Sequence, residues 1–201
     1  MCKYLQWRLS LGIVLIALFA CGTGSYGKQV VVSSDRDGDS EIFVMNSDGS
    51  GIRQLTENKA GDFDPAWSPG GSKIAFVSHR DGDSGIFAMD ADGSTERRLS
   101  EDGPPSGSDN GPAWSPDGEE IAFFSDRDGD HELFVMNSDG SEIRQLTENS
   151  DLDLYPLWSP DGKEIAFFSN RGGDFGMFVM NADGSDVSTL GQSDLWFDWH
   201  D

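Results

Sequence analysis

Four arginines, Arg36, Arg80, Arg127 and Arg171, stand 44, 47 and 44 residues apart, each inside a near-copy of one phrase. The copies read SDRDGDSEIFVMNSDGS from Ser34, SHRDGDSGIFAMDADGS from Ser78, SDRDGDHELFVMNSDGS from Ser125 and SNRGGDFGMFVMNADGS from Ser169. Between them lie DPAWSPGG from Asp64, GPAWSPDG from Gly111 and YPLWSPDG from Tyr155, and FDWHD follows from Phe197. A period of this length marks a supersecondary unit that buries its apolar face only by stacking on its neighbours. The chain is therefore an array of like units, within a length of 201 residues that suits one globular domain.

Each unit contains four short β-like runs. The first is the PAW segment, closed by Ser-Pro-Asp-Gly, in which Pro fixes φ and Gly supplies the positive-φ position of a turn. The second is the apolar run at 74–77, matched at 121–124 and 165–168. Such unbroken runs suit strands buried on both faces. The third is 41–45, and Asn-Ser-Asp-Gly leads from it to the fourth, 52–56. Four strands in about 44 residues, joined by hairpin turns, predict the blade of a β-propeller.

The repeat pattern AWSPDG-x-x-IAF-x-S-x-R-D-G-x-x-x-IFVMN-x-DGS resembles that of the TolB-type, WD-like β-propeller family over nearly all of the chain after residue 29. The expected fold is all-β, a β-propeller of four blades with four antiparallel strands each. The chain enters at the second strand of a blade, 29–34, and an orphan first strand lies at 195–199. The ring is expected to close when that C-terminal strand completes the N-terminal blade and removes an exposed edge. A half-ring completed by a second chain is the alternative, so a monomer is expected and a homodimer is the competing assembly.

The N-terminus places Lys3 and Arg8 ahead of an apolar run at 9–20, the layout of an export signal. The run falls short of the roughly 20 apolar residues of a spanning helix. Leu18-Phe19-Ala20-Cys21 resembles a bacterial lipobox, which makes Cys21 the candidate lipidation site. Cys2 would leave with the signal, and acylation accounts for a Cys21 that has no cysteine partner in an oxidising compartment. The expected organisation is a signal peptide at 1–20, a short linker at 21–28 and the propeller at 29–201. The chain would then reside in the periplasm or on the outer surface, touching membrane only through the anchor. A formal net charge of −22 excludes nucleic acid as a partner, because phosphate binding needs clustered Lys and Arg.

The Asp-x-Asp-x-Asp openings suggest calcium loops, but Ser40 and Asn46 stand where an EF-hand needs Gly and a bidentate Glu. What recurs is Gly-Asp at 38–39, 82–83, 129–130 and 173–174, as a tight hairpin requires. No cofactor is therefore expected, with weak calcium binding by ligands such as Asp37 and Asp39 as the alternative. The arginine column reads as a repeated Arg–carboxylate pair, and Trp67, Trp114, Trp158 and Trp199 read as packing between blades. Gly82-Asp83-Ser84-Gly85 imitates a serine-protease nucleophile, yet Ser84 aligns with Ser40, His131 and Phe175. His79, His131 and His200 show no metal-ligand spacing. No catalytic residue is assigned.

Units differ most in the connections that lead into the innermost strands, and variable loops on one face of a repeat array usually carry binding. The candidate binding residues there are Asp62, Phe63 and Asp64; Asp109 and Asn110; Asp151, Asp153 and Tyr155; and Asp194, Trp196 and Phe197. They form an acidic, aromatic-rimmed channel mouth. The family resemblance implies a non-catalytic module that binds another protein or peptide at the bacterial cell envelope. The alternatives are a propeller that binds or acts on a carbohydrate or peptide at the channel mouth, with or without calcium, and half of a larger propeller.

Overall fold

The computed structural model describes residues 29–36, 38–100 and 107–192. These form two compact units, one ending at Arg98 and the other beginning at Leu99. Every regular element among the described residues is a β-strand.

The first unit holds two antiparallel sheets. One comprises β1 (Gln29–Ser34), β2 (Glu41–Asn46) and β3 (Arg53–Gln54), in that order. The other is β4 (Asp62–Trp67), β5 (Lys73–Ser78), β6 (Gly85–Asp90) and β7 (Arg97–Arg98). The second unit repeats the four-stranded plan twice. Its sheets are β8 (Asp109–Trp114), β9 (Glu120–Ser125), β10 (Glu132–Asn137) and β11 (Arg144–Gln145), then β12 (Asp153–Trp158), β13 (Glu164–Ser169), β14 (Gly176–Asn181) and β15 (Ser188–Gln192). All are simple meanders, the form of a propeller blade. The strand expected at 195–199, and with it the closure expected of the first sheet, lies outside the described residues.

The apolar runs become the buried middle strands. Ile74, Ala75 and Phe76 on β5 and Ile121, Ala122 and Phe123 on β9 are all 0% exposed. Cores form between the two sheets of each unit. Val31, Ile42 and Val44 of the first sheet meet Trp67, Phe76 and Phe87 of the second. In the second unit Leu133, Val135 and Leu146 meet Trp158, Ile165 and Phe167 in the same way. Trp67 and Trp158 thus fill the seams against the sheets that precede theirs. Trp158 Nε1 also donates to the Ala113 carbonyl at 3.2 Å. Trp67 Nε1 is buried with no acceptor. The equivalent carbonyl belongs to an inner strand that the first sheet lacks among the described residues.

The Asp-rich openings close as turns, with Gly38 N–H donating to Asp35 O at 3.1 Å and Gly129 N–H to Asp126 O at 2.9 Å. At the second hairpin glycine is needed twice over. Gly184 has φ +90°, and a Cβ there would lie 2.7 Å from the carbonyl oxygen of Leu146 on the neighbouring sheet. Gly93 repeats this against Leu55. The outer strand β3 is shorter than the expected 52–56, pairing only Phe43 with Gln54 and Val44 with Arg53. The inner strands start earlier than expected, at Asp62, Asp109 and Asp153, because a bulge before Ala66, Ala113 and Leu157 lets pairing resume upstream.

Candidate functional site

The head of each inner strand carries an aspartate, and one hairpin later comes the repeated arginine. Arg80 reaches Asp62 at 3.0 Å, Arg127 reaches Asp109 at 2.7 Å and Arg171 reaches Asp153 at 2.6 Å. The Nε of each arginine donates to the serine two residues earlier, Ser78, Ser125 or Ser169. Each guanidinium also lies over phenylalanine rings, Arg80 at 4.7 Å from the Phe87 centroid and Arg171 at 5.1 Å from Phe167. Arg36 lies over Phe43 at 5.0 Å. The planar cation therefore bridges a buried carboxylate and an aromatic face, which a lysine could not do with the same geometry.

That pairing decides what the expected site residues can do. Asp62, Asp109 and Asp153 are at most 2% exposed and are committed to arginine, so they are parts of the scaffold. The residues left facing solvent are Asp64 and the half-exposed Tyr155, with Phe63, Asn110 and Asp151 partly covered. Asp194, Trp196 and Phe197, like Cys21, lie outside the described residues.

Asp64, Gly111 and Tyr155 occupy one column of the repeat, and all three have left-handed backbones, with φ of 47°, 61° and 53°. Each sits in the bulge just before Pro65, Pro112 or Pro156. Proline disfavours helical backbone in the residue before it, and a side chain at positive φ costs about 1–2 kcal/mol. The bulge keeps this conformation at all three heads, although glycine occupies only one of them. Burial among neighbouring groups raises the Asp64 carboxyl above its ordinary value even though the side chain meets solvent.

The second unit gathers aromatic groups at its column. The Tyr155 ring meets Phe124 edge-on at 5.1 Å, and Phe124 meets the His131 ring edge-on at 5.6 Å. A Cβ at Gly111 would lie 2.7 Å from the Phe124 ring, so the missing side chain makes room for that ring. In the first unit Phe63 lies against His79 at 5.1 Å. His79 and His131 thus each pack against a phenylalanine ring. Among the described residues no cluster of three or more His, Cys, Asp or Glu could hold a metal ion.

A second constellation escaped the sequence reading. Glu132, 1% exposed on β10, accepts from the Thr147 hydroxyl, from Asn149 N–H at 2.7 Å and from Asn149 Nδ2 at 3.3 Å. The same Nδ2 donates to Asp153 at 2.8 Å. Glu41, Thr56, Asn58 and Asp62 repeat the arrangement in the first unit, with Asn58 N–H at 2.8 Å from Glu41 and Asn58 Nδ2 at 2.8 Å from Asp62. The signal available in the sequence was RQLTEN, identical at 53–58 and 144–149 and each time preceded by a strand opening with Glu. The other two copies open with Gly85 and Gly176.

The family model for the TolB beta propeller domain matches residues 23–106 and 103–198. Among solved structures, TolB from Agrobacterium tumefaciens is similar at 30% identity and a TM-score of 0.75, over 81% of this chain and 61% of that one. TolB from Acinetobacter baumannii is 21% identical with a TM-score of 0.70, over 83% of this chain and 41% of that one. An oligogalacturonate lyase from Vibrio parahaemolyticus shares the fold at 17% identity and a TM-score of 0.66, over 82% of this chain and 49% of its own. The chain thus spans less than two thirds of the length of each.

Proposed function

From the premise that this chain belongs to the TolB beta propeller domain family, we propose that it is an exported, lipid-anchored and non-catalytic module that binds another protein at the bacterial cell envelope. Its leader and Cys21 support export and anchoring. The observation that carries the binding role is Tyr155 in the second unit, a half-exposed aromatic ring held in left-handed backbone at the head of its inner strand. In the first unit, and taken by itself, the exposed carboxylate of Asp64 is held in the same way. Backbone strain that persists at exposed, protruding side chains belongs to recognition sites more than to scaffold. An aromatic ring and a carboxylate suit a polypeptide segment that offers Lys or Arg side chains, through cation–π and charge-assisted contacts.

Replacing Tyr155 with a photoreactive phenylalanine analogue in the intact, expressed chain tests this reading. The expected result is a discrete cross-linked species on illumination in cells, weakened in isolated envelopes as salt rises. The same analogue at Ile52, which is 47% exposed just before β3, should give none. Equal products at both positions, or none at Tyr155, would defeat the reading.

A further inference from the structure

Glu132 and Asp153 are two buried carboxyl groups, and among the described residues the one ion pair made to either is that of Arg171 with Asp153, at 2.6 Å. Asn149 Nδ2 donates to both carboxyls, to Glu132 at 3.3 Å and to Asp153 at 2.8 Å, which holds them side by side. Asp153 Oδ1 is buried and finds no donor among the described residues. With both carboxyls ionised, the cluster would bury one uncompensated negative charge and leave an acceptor unsatisfied, each of them costly. One proton removes both costs.

We propose that Glu132 and Asp153 form a proton-binding site, and that the proton they take up from solvent fastens the linker 147–153 to β10. The attachment is visible in the hydrogen bonds: Thr147 O–H, Asn149 N–H and Asn149 Nδ2 all end on Glu132, and Asn149 also ends on Asp153. Thr147 Oγ1 in turn accepts from Leu133 N–H at 2.9 Å, tying the same linker to the β10 backbone. The groups facing Glu132 are Asp153 from β12, Arg171 through that aspartate, and the neutral Thr147 and Asn149; Ser125 is its partner on β9. The first unit carries a second example. There Glu41 faces Asp62 and Asp39, Arg80 is shared between Asp62 and Glu96, and Asp62 Oδ1 is again without a donor among the described residues.

The electrostatics agree with the geometry. Burial pushes the Glu132 carboxyl up to about 7 against the hydrogen bonds from Thr147 and Asn149, and the negative charge of Asp153 adds a smaller upward push. Burial also raises Glu41. A carboxyl whose pKa rises on folding adds stability that is fully present below its unfolded value and is lost as pH climbs through the folded value. For Glu132 that window runs from 4.5 to about 7.

Glutamine imitates the protonated acid, since its amide donates where the carboxylic acid would. In the full chain, wild type should lose thermal midpoint relative to Glu132→Gln as pH rises from about 5 to about 8. Glu132→Ala should be less stable than Glu132→Gln throughout. A direct readout is the infrared carbonyl band of a protonated, buried carboxyl. It should persist in wild type at about pH 6 and shrink in Glu132→Gln, then vanish in Glu41→Gln/Glu132→Gln. A Glu132→Gln protein that keeps the wild-type pH dependence, or a wild type with no such band at that pH, would overturn the proposal.

Discussion

Arg171→Ala should destabilise the protein by about 3–5 kcal/mol, the typical cost of leaving one member of a buried ion pair without its partner. Asp153 is completely buried, so without the guanidinium it must ionise alone or take up a proton. The reverse substitution should cost less. In Asp153→Ala the Arg171 side chain, 22% exposed, keeps its places over Phe167 and Phe178 and can be hydrated. Arg171→Lys should fall between the two, because lysine keeps the charge but loses the Nε donation to Ser169 and the planar stacking. Urea unfolding of the three variants measures the order. Equal stability of Arg171→Ala and wild type would show that the recurring Arg–Asp pair is not part of the scaffold.

Phe76→Ala should cost a comparable amount, about 3–5 kcal/mol, for a different reason. Phe76 is 0% exposed and belongs to the seam where Val31 and Ile42 of the first sheet meet Trp67 and Phe87 of the second. Removing the ring opens a cavity that rigid strands on both sides cannot collapse. It also takes one aromatic face from Arg80, whose guanidinium lies 5.6 Å from the Phe76 centroid. Because Trp67 packs in the same cluster, its fluorescence should shift to the red in Phe76→Ala while Phe76→Leu stays close to wild type. A loss under about 1 kcal/mol would mean that the seam is not closely packed.

The repeated columns were legible because each is a local rule applied four times. The apolar runs at 74–77, 121–124 and 165–168 became middle strands, and their flanking Gly-containing turns became hairpins. The arginine column found its carboxylates. The channel-mouth expectation included those same aspartates, but Asp62, Asp109 and Asp153 are paired with arginine and at most 2% exposed, which closes them to a ligand arriving from solvent.

Two features were not legible for physical reasons. The left-handed backbone at Asp64 and Tyr155 runs against the extended preference of a residue before proline, and Gly111 alone hints at it. The Glu132–Asn149–Asp153 cluster joins three different columns and occurs in only one of every two repeats, so a column-by-column comparison treats Glu41 and Glu132 as surface variation beside Gly85 and Gly176. The recurring columns hold the sheets, whereas the exposed residues that depart from them are the ones proposed to meet a partner.

The most direct measurement of that division is the thermal midpoint and cross-linking yield of Asp64→Gly, made in the chain carrying a photoreactive phenylalanine analogue at the neighbouring Phe63. Glycine relieves the φ of 47° and removes a carboxylate that burial has pushed up. It adds some chain entropy to the unfolded state, so stability should rise by about 1 kcal/mol. If Asp64 serves recognition, the cross-link should weaken in this more stable protein. A fall in stability with the cross-link intact would contradict the account, because it would make Asp64 part of the scaffold and leave its exposed carboxylate without a binding role.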